Sequence, residues 1–285
     1  MNYRHAYHAG NFADVVKHAV LCRVLVYLRE KPAAFRVIDT HAGAGRYDLA
    51  GTEAGKTQEW RDGIGRIVSA ALGAPVHAML APYLDAVAAH NPGGGLKSYP
   101  GSPSLAQTLL RAQDRLIACE LEPQAAAALE RELAGDARAK AIAIDGWTAL
   151  TAYVPPVERR GVVLIDPPFE QPGEFSRLTQ GVAAAHRKWP TGIYLLWYPI
   201  KDQTEIAGFV RGLARTGVAK MLRVELMLPT AGPDTGLRGS GLIAVNPPWT
   251  LHDELQVLLP ALAGVMSRSA ASSFKLEWLT GESAS

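Results

Sequence analysis

Short apolar runs that alternate with helical patterns constrain the fold of this chain more than any other feature of its sequence. Helical patterns such as residues 122–135 and 202–217 separate the runs. Strands that are joined through helices run parallel, and the helices cover both faces of the sheet. An α/β fold with a mostly parallel sheet of seven strands is therefore predicted. The seven runs span residues 35–40, 115–120, 139–145, 161–166, 192–198, 221–228 and 241–246.

The last two runs are connected differently, because the loop of residues 229–240 between them contains no helical pattern. Two strands that are joined by a loop alone pair in antiparallel orientation. We expect this hairpin at the edge of the sheet. Seven strands that end in such a hairpin are typical of the Rossmann-like methyltransferases that use S-adenosylmethionine.

Residues 51–97 interrupt the alternation, because they contain two amphipathic helical patterns and no strand. Apolar side chains recur at helical spacing on both sides of a break at Gly73. We interpret this stretch as a small helical insertion subdomain. The Rossmann-like methyltransferase domain then comprises residues 1–50 and 98–285.

The composition excludes several classes of protein. A chain of 285 residues that is 48% hydrophobic can bury a substantial core. We expect a soluble, cytoplasmic protein, because no segment resembles a signal peptide and no run approaches the roughly 18 apolar residues of a membrane span. A monomer is expected because the sequence contains no zipper and no obvious apolar interface. Cys22 and Cys119 lie in apolar runs, so neither a disulfide framework nor a metal site is predicted. The formal charge of +2 does not by itself indicate a nucleic-acid partner.

A turn with two glycines follows the first predicted strand. Gly43 and Gly45 permit a tight turn and a close approach of the backbone to a ligand, and Asp39 ends the strand. Parallel sheets bind nucleotide-like ligands at such turns on their carboxyl edge. The third glycine and the downstream acid of the dinucleotide fingerprint are missing, which disfavours a dinucleotide oxidoreductase.

Acidic residues also end the next two predicted strands. Glu120 ends the second strand, where a carboxylate can accept both hydroxyls of a ribose. Asp145 ends the third strand and is followed by Gly146, and both are placed for the adenine end of the same ligand. Acids at three successive strand ends favour S-adenosylmethionine over a pyrophosphate cofactor. The alternative is that these acids only terminate strands.

The fourth predicted strand ends in Asp166-Pro167-Pro168-Phe169, beside the expected position of the methyl group of such a cofactor. The N6 amine of adenine is a poor nucleophile because its lone pair is delocalised into the ring. An oxygen of Asp166 and a proline carbonyl, such as that of Pro167, can accept the two N–H bonds and free the lone pair. Phe169 can stack on the base, which contributes roughly 1 to 3 kcal/mol. A paired base must first be flipped out.

A second Pro-Pro motif, Asn246-Pro247-Pro248-Trp249, offers the same kinds of group after the last predicted strand. It is far from the glycine turn in the order of the strands, so we prefer Asp166 as the chemical site. We interpret the prolines of the second motif as the end of a strand that positions the following helix.

Taken together, these residues resemble the bacterial ribosomal RNA large-subunit methyltransferase J family, which methylates N6 of an adenine in 23S rRNA, of the adenine-2030 type. The resemblance covers nearly the whole chain, and its most specific motif is the N-terminal string of residues 3–18. The other motifs are residues 39–47, 99–103, 166–169, 191–199 and 246–249.

The resemblance implies a role for individual residues. It makes Asp166 the catalytic acceptor, which we also predict to contact the cofactor, and it places Tyr3 near the substrate. Phe169 stands where tyrosine is common in the family, which preserves stacking but removes a hydroxyl. Without the family, Ser102 would be predicted as the N-cap of a helix that opens at Pro103. The implied cofactor contacts are His18, His41, Ser102, Glu120, Asp145 and Gly146.

Two other functions stay open at this point. A DNA adenine N6-methyltransferase would need the same site. A non-catalytic RNA-binding or assembly factor could keep the fold without the chemistry, although the intact series of acids from Asp39 to Asp166 argues against it. Cofactor binding separates the enzyme from the non-catalytic factor.

Overall fold

One large sheet and one small sheet form the β-structure of the computed structural model, which describes residues 4–228, 237–267 and 272–281. The small sheet pairs β2 with β3 in antiparallel orientation, and the large sheet has the order β5-β4-β1-β6-β7-β9-β8-β10. The strands within the described residues are β1 (Arg36–Asp39), β2 (Arg46–Asp48), β3 (Ser98–Pro100), β4 (Arg115–Glu120), β5 (Ala139–Ala143), β6 (Gly161–Ile165), β7 (Ile193–Ile200), β8 (Met221–Met227), β9 (Gly239–Val245) and β10 (Ser273–Thr280).

Helices cover both faces of the large sheet. Successive side chains of a strand point to opposite faces, so neighbouring residues of one strand join different core clusters. Val37 of β1 belongs to the core cluster beneath the first helix and the tenth, whereas its neighbour Ile38 belongs to the cluster beneath the eighth helix and the ninth. The helices are α1 (Phe12–Glu30), α2 (Thr52–Thr57), α3 (Ile64–Ser69), α4 (Ala74–Ala89), α5 (Ser102–Leu109), α6 (Pro123–Leu133), α7 (Gly146–Ala152), α8 (Glu174–Lys188), α9 (Gln203–Ala214) and α10 (Leu251–Met266). None of the helices in the described ranges is long and apolar enough to span a bilayer.

The predicted fold class is confirmed, with one addition at the edge of the sheet. β1 pairs in parallel with both β4 and β6, and β8 and β9 form the predicted antiparallel hairpin. The hairpin is not the edge of the sheet, because β10 pairs antiparallel with β8 on its outer side. The sequence did not indicate β10, since most of its side chains are exposed and no second strand follows it in the sheet.

The helices α2, α3 and α4 lie within residues 51–97. Ile64 of α3 and Tyr83 of α4 are fully buried and share one core cluster with Leu21 of α1. We propose that residues 51–97 form an insertion subdomain, and this shared core fixes its position relative to α1.

Candidate active site

A cavity of ≈ 460 Å³ lies at the carboxyl edge of the parallel strands. The ends of β1, β4, β5 and β6 meet at this edge because all four strands run in the same direction. The structure brings most of the predicted site residues to this cavity. Those that line it are His18, His41, Gly43, Ser102, Glu120, Asp145, Gly146, Asp166 and Pro167.

The glycine turn is tied to the end of β4 by the carboxylate of Glu120. Gly43 and Gly45 have φ angles of 61° and 80°, a backbone conformation that residues with a Cβ rarely adopt. The backbone N–H of Gly43 donates to Oε2 of Glu120 at 2.8 Å, and the N–H groups of Leu121 and Glu122 donate to its Oε1, each at 2.8 Å. The carboxylate therefore holds the turn open toward the cavity.

The end of β5 leads into α7 at the same edge. Asp145 is the N-cap of α7, and its Oδ2 accepts the backbone N–H of Thr148 at 2.8 Å. A Cβ on Gly146 would lie 2.5 Å from Nε2 of His41, so only glycine permits this approach of the backbone. Burial lowers the pKa of His41 to about 4, and the ring is therefore neutral near pH 7.

Asp39 lies beneath the cavity rather than in its wall and is 1% exposed. The hydroxyl of Ser102 donates to its Oδ2 at 2.6 Å, whereas its Oδ1 has no hydrogen-bond partner. Ser102 is not the predicted N-cap of α5. The helix begins one residue earlier than expected, with Gly101 at the N-cap, and the hydroxyl donates to the carboxyl group of Asp39 instead of capping the helix.

Phe169 does not line the cavity either. Its ring packs against Phe175 and Trp197, with centroid distances of 4.8 Å and 5.9 Å, and its N–H donates to Oε2 of Glu174 at 3.0 Å. Its φ of 52° lies in the left-handed region, which residues with a Cβ rarely adopt. The ring is half-buried, and its stacking on a base stays a prediction. Tyr3 lies outside the described residues.

Lys17 is the main residue of the cavity wall that the sequence reasoning missed. Its side chain is 4% exposed, and Nζ donates to Oδ2 of Asp166 at 2.5 Å and to Oδ1 of Asp14 at 2.8 Å. Oδ2 of Asp14 accepts the N–H of Gly10 and forms a hydrogen bond with Nε2 of His5, each at 2.9 Å. Burial opposes the charged ammonium, but the two carboxylates outweigh it and raise the pKa of Lys17 above its ordinary value.

His18 is buried beside Lys17 and links the cavity to the helices of residues 51–97. Its Nδ1 lies 2.6 Å from the hydroxyl of Tyr99, which lies 2.9 Å from the hydroxyl of Tyr83. Its Nε2 has no hydrogen-bond partner. Burial lowers the pKa of His18 to about 3, so the ring is neutral and keeps one nitrogen available to a ligand in the cavity.

The second Pro-Pro motif lies at the amino ends of the parallel strands, opposite the carboxyl edge. β9 is antiparallel to β7 and pairs Val245 with Tyr194, so Asn246 follows the end of β9 that lies beside the start of β7. Nδ2 of Asn246 donates to the carbonyls of Pro190 and Gly192 at 2.7 Å and 2.8 Å. The direction of β9 therefore separates this motif from the cavity, which supports the preference for Asp166.

Comparisons with known proteins identify the family of this chain. A family model described as "Ribosomal RNA large subunit methyltransferase D, RlmJ" (RsmJ) matches residues 32–280. The chain belongs to this family of ribosomal RNA large-subunit methyltransferases, which confirms the resemblance drawn from its motifs.

Relatives of the RsmJ family match over almost the full length of the chain. A protein of Escherichia coli K12 named "Ribosomal RNA large subunit methyltransferase J" is 39% identical over 282 residues, which cover 99% of this chain and 100% of that protein. Its namesake in Haemophilus influenzae is 36% identical over 283 residues, with the same coverage. Protein LPL1258 of Legionella pneumophila, of known crystal structure, is 33% identical with a TM-score of 0.88, and the match covers 97% of this chain and 99% of that one.

The cavity fits S-adenosylmethionine, the cofactor that a methyltransferase of this family implies. Two buried polar atoms at its base lack partners, namely Nε2 of His18 and Oδ1 of Asp39. They suit the polar groups of an amino-acid moiety. The carboxylates of Glu120 and Asp145 lie in the wall, where they suit the hydroxyls of a ribose and the amine of an adenine. The volume falls in the usual range of small-molecule sites.

Asp39 makes the stability of this protein depend on pH. Burial raises its pKa from 3.8 to about 7, although the hydrogen bond from Ser102 opposes the rise. Between these values the folded state keeps a proton that the unfolded chain loses, so the free energy of unfolding falls as the pH rises from about 4 to 7. Asp39→Asn is expected to remove this component, which is at most about 4 kcal/mol. Urea unfolding of the wild type and the variant at pH 5 and pH 8 measures the part of this component that is lost between those pH values. Equal pH dependence of the two proteins would contradict the assignment.

Proposed function

We propose that this protein transfers a methyl group from S-adenosylmethionine to the N6 amine of an adenine in 23S rRNA, and that the base reaches the cavity flipped out or unpaired. The position of Asp166 carries this proposal. Its carboxylate follows β6 at the centre of the carboxyl edge, lines the cavity and is 13% exposed. It is followed by two prolines that fix the backbone.

The ion pair with Lys17 leaves one oxygen of Asp166 available to a substrate. Lys17 binds Oδ2, whereas Oδ1 forms no hydrogen bond with a described residue. Oδ1 can accept one N–H of the amine, and the carbonyl of Pro167 can accept the other. These two acceptors draw the lone pair of the nitrogen out of the ring and direct it toward the cofactor. The cofactor supplies an electrophilic methyl group bonded to a sulfonium sulfur.

The proton of the amine leaves once the new N–C bond begins to form. Asp166 accepts it directly or through water, because its carboxylate is the acidic group of the cavity wall that lies next to the Pro-Pro backbone. Lys17, held by Asp14, fixes the direction in which the carboxylate points. Alignment of the amine, the methyl group and the sulfur provides the rest of the rate enhancement. Positioning of this kind can lower a barrier by several kcal/mol.

The experiment that tests the proposal is transfer of radiolabelled methyl from S-adenosylmethionine, in parallel, to protein-free 23S rRNA, the assembled large subunit and duplex DNA. We expect label in N6-methyladenosine after digestion of the RNA. Label in the DNA alone would favour a DNA adenine methyltransferase. Cofactor binding with no transfer to any nucleic acid would overturn the proposal.

Asn246→Ala is the matched control, because it removes the polar residue of the other Pro-Pro motif. We expect methyl transfer at the wild-type rate. The variant loses the two hydrogen bonds of Nδ2 and places alanine at a φ of 50°, so its free energy of unfolding should fall by roughly 1 to 3 kcal/mol. Initial rates and urea unfolding measure the two effects, and a lost rate in a folded variant would return the second motif to consideration.

A further inference from the structure

A second cavity, of ≈ 300 Å³, lies between α7 and α8 and is here named the flanking groove. Trp147 and Arg177 line both the flanking groove and the cofactor cavity, so the two are adjacent. The mechanism uses neither side chain. The residues of the groove are Trp147, Leu150, Thr151, Arg177, Gln180, Gly181, Ala184, Ala185 and Lys188.

The charges of the two cavities differ in sign. Three cations, Arg4, Lys17 and Arg177, line the cofactor cavity and are outnumbered there by six carboxylates, those of Glu53, Glu120, Glu122, Asp145, Asp166 and Glu174. The flanking groove is lined by two cations, Arg177 and Lys188, and by no acid, although Arg177 also pairs with Oε1 of Glu174 in the cofactor cavity at 3.4 Å. Nζ of Lys188 donates to the carbonyl of Thr151 at 3.1 Å and has no carboxylate partner among the described residues. The groove is therefore complementary to an anion.

The groove has the shape and lining of a site for a nucleic-acid strand. Arg177 and Lys188 are eleven residues apart on α8, which places them about 16 Å apart along the helix axis. Apolar side chains such as Leu150 and Ala184 also line the groove. The guanidinium of Arg177 lies over the indole of Trp147, 5.0 Å from the ring centroid. Grooves that hold single strands combine cations for the backbone with planar groups for the bases.

We propose that the flanking groove binds the RNA strand next to the target adenine, with a phosphate at Lys188 and a base against the Trp147–Arg177 pair. This inference rests on the proposed function, because the strand in the groove is taken to be continuous with the nucleotide whose base lies at Asp166. The shared wall gives it that continuity: a strand that leaves the cofactor cavity past Arg177 enters the groove directly.

Lys188→Glu tests the inference, with Arg187→Glu as the matched control. Arg187 is exposed on the same turn of α8, carries the same charge and does not line the groove. Binding of labelled protein-free 23S rRNA is measured by filter retention at several salt concentrations, against an excess of unlabelled transfer RNA. Methyl transfer and the Kd of S-adenosylmethionine are measured on the same samples.

We expect Lys188→Glu to weaken RNA binding roughly fivefold to tenfold and to reduce the slope of log K against log salt by about 1, with an unchanged Kd for the cofactor. Arg187→Glu should change neither quantity appreciably. Equal effects of the two substitutions on RNA binding would overturn the groove assignment. If the wild type still transferred methyl groups to the RNA, the proposed function would stand. Conversely, RNA binding that depends on Lys188 without any methyl transfer would overturn the proposed function alone. A wild-type protein that binds no 23S rRNA would overturn both.

Discussion

Asp166→Asn is expected to lower the rate of methyl transfer to 23S rRNA by about 10² to 10⁴, the range typical of a lost acid–base group. Asparagine keeps an oxygen that can orient the amine, but it cannot take up the proton that the amine releases. We propose Glu120 and Asp145, and not Asp166, as the acceptors at the ribose and adenine ends of the cavity. The Kd of S-adenosylmethionine should therefore change much less than kcat. Single-turnover rates at saturating cofactor, together with titration calorimetry, separate the two.

Asp14→Asn is the control for this substitution, because both changes remove one carboxylate partner of Lys17. Only Asp166→Asn removes the acceptor that faces the cavity. A much larger loss of rate for Asp166→Asn than for Asp14→Asn would assign the effect to proton acceptance. Equal losses would show instead that the ion pairs of Lys17, and not the carboxylate at the cavity, limit the reaction.

Lys17→Met is expected to have the largest effect on stability, because it leaves the carboxylate of Asp14 buried without its ammonium. Asp14 and Lys17 are 2% and 3% exposed, and removal of one partner of a buried pair costs about 3 to 5 kcal/mol. Methyl transfer should fall as well, since Asp166 loses the contact that directs its carboxylate. Urea unfolding and the methyl-transfer assay measure the two losses.

The double variant Asp14→Asn with Lys17→Met distinguishes the causes. Asparagine removes the unpaired charge, so we expect the double variant to regain roughly 1 to 3 kcal/mol relative to Lys17→Met. Methyl transfer should stay low, because Asp166 still lacks Lys17. Additive stability losses would mean that the two side chains do not act as a pair, and recovered activity would mean that Lys17 acts only through folding.

The fold could be predicted from the sequence where burial leaves a periodic pattern. The strands β1, β4, β6 and β7 are buried on both faces and stand out as apolar runs. β10 does not, since Phe274 and Trp278 are 44% and 48% exposed and the strand contacts the sheet through a single neighbour. β2 and β3 are each three residues long, which is too short for a period to show.

The site could be predicted at the strand ends and not in α1. Acids at the carboxyl edge follow from the direction of the strands, whereas a lysine in a helix usually indicates a solvated surface. The informative signal in α1 is its all-round burial: Asp14, Lys17 and His18 lie at i, i+3 and i+4 in a helix whose residues 13–22 are all buried. Charged residues at this spacing within a buried helix indicate an internal ion pair.

The orientation of individual side chains was the least predictable property of the site. Phe169 and Asp166 are three residues apart in one motif, yet Asp166 lines the cavity and Phe169 packs into an aromatic cluster. Phe169 also has a φ of 52°, which no residue type in the motif requires, so the local backbone could not be predicted from the sequence. The position of Asn246, in contrast, follows from topology alone, because β9 runs against β7 and ends beside the start of that strand.

The contact between Lys17 and Asp166 joins positions that are 149 residues apart in the chain. Closing a loop of this length costs entropy, so we expect the contact to form late in folding, after β6 has joined the sheet and α1 has docked on it. A partial opening that lifts α1 would part the two groups while the strands stay paired. In refolding, activity should therefore return after the bulk of the circular dichroism signal, and in hydrogen exchange the amides of α1 should report the loss of catalytic competence.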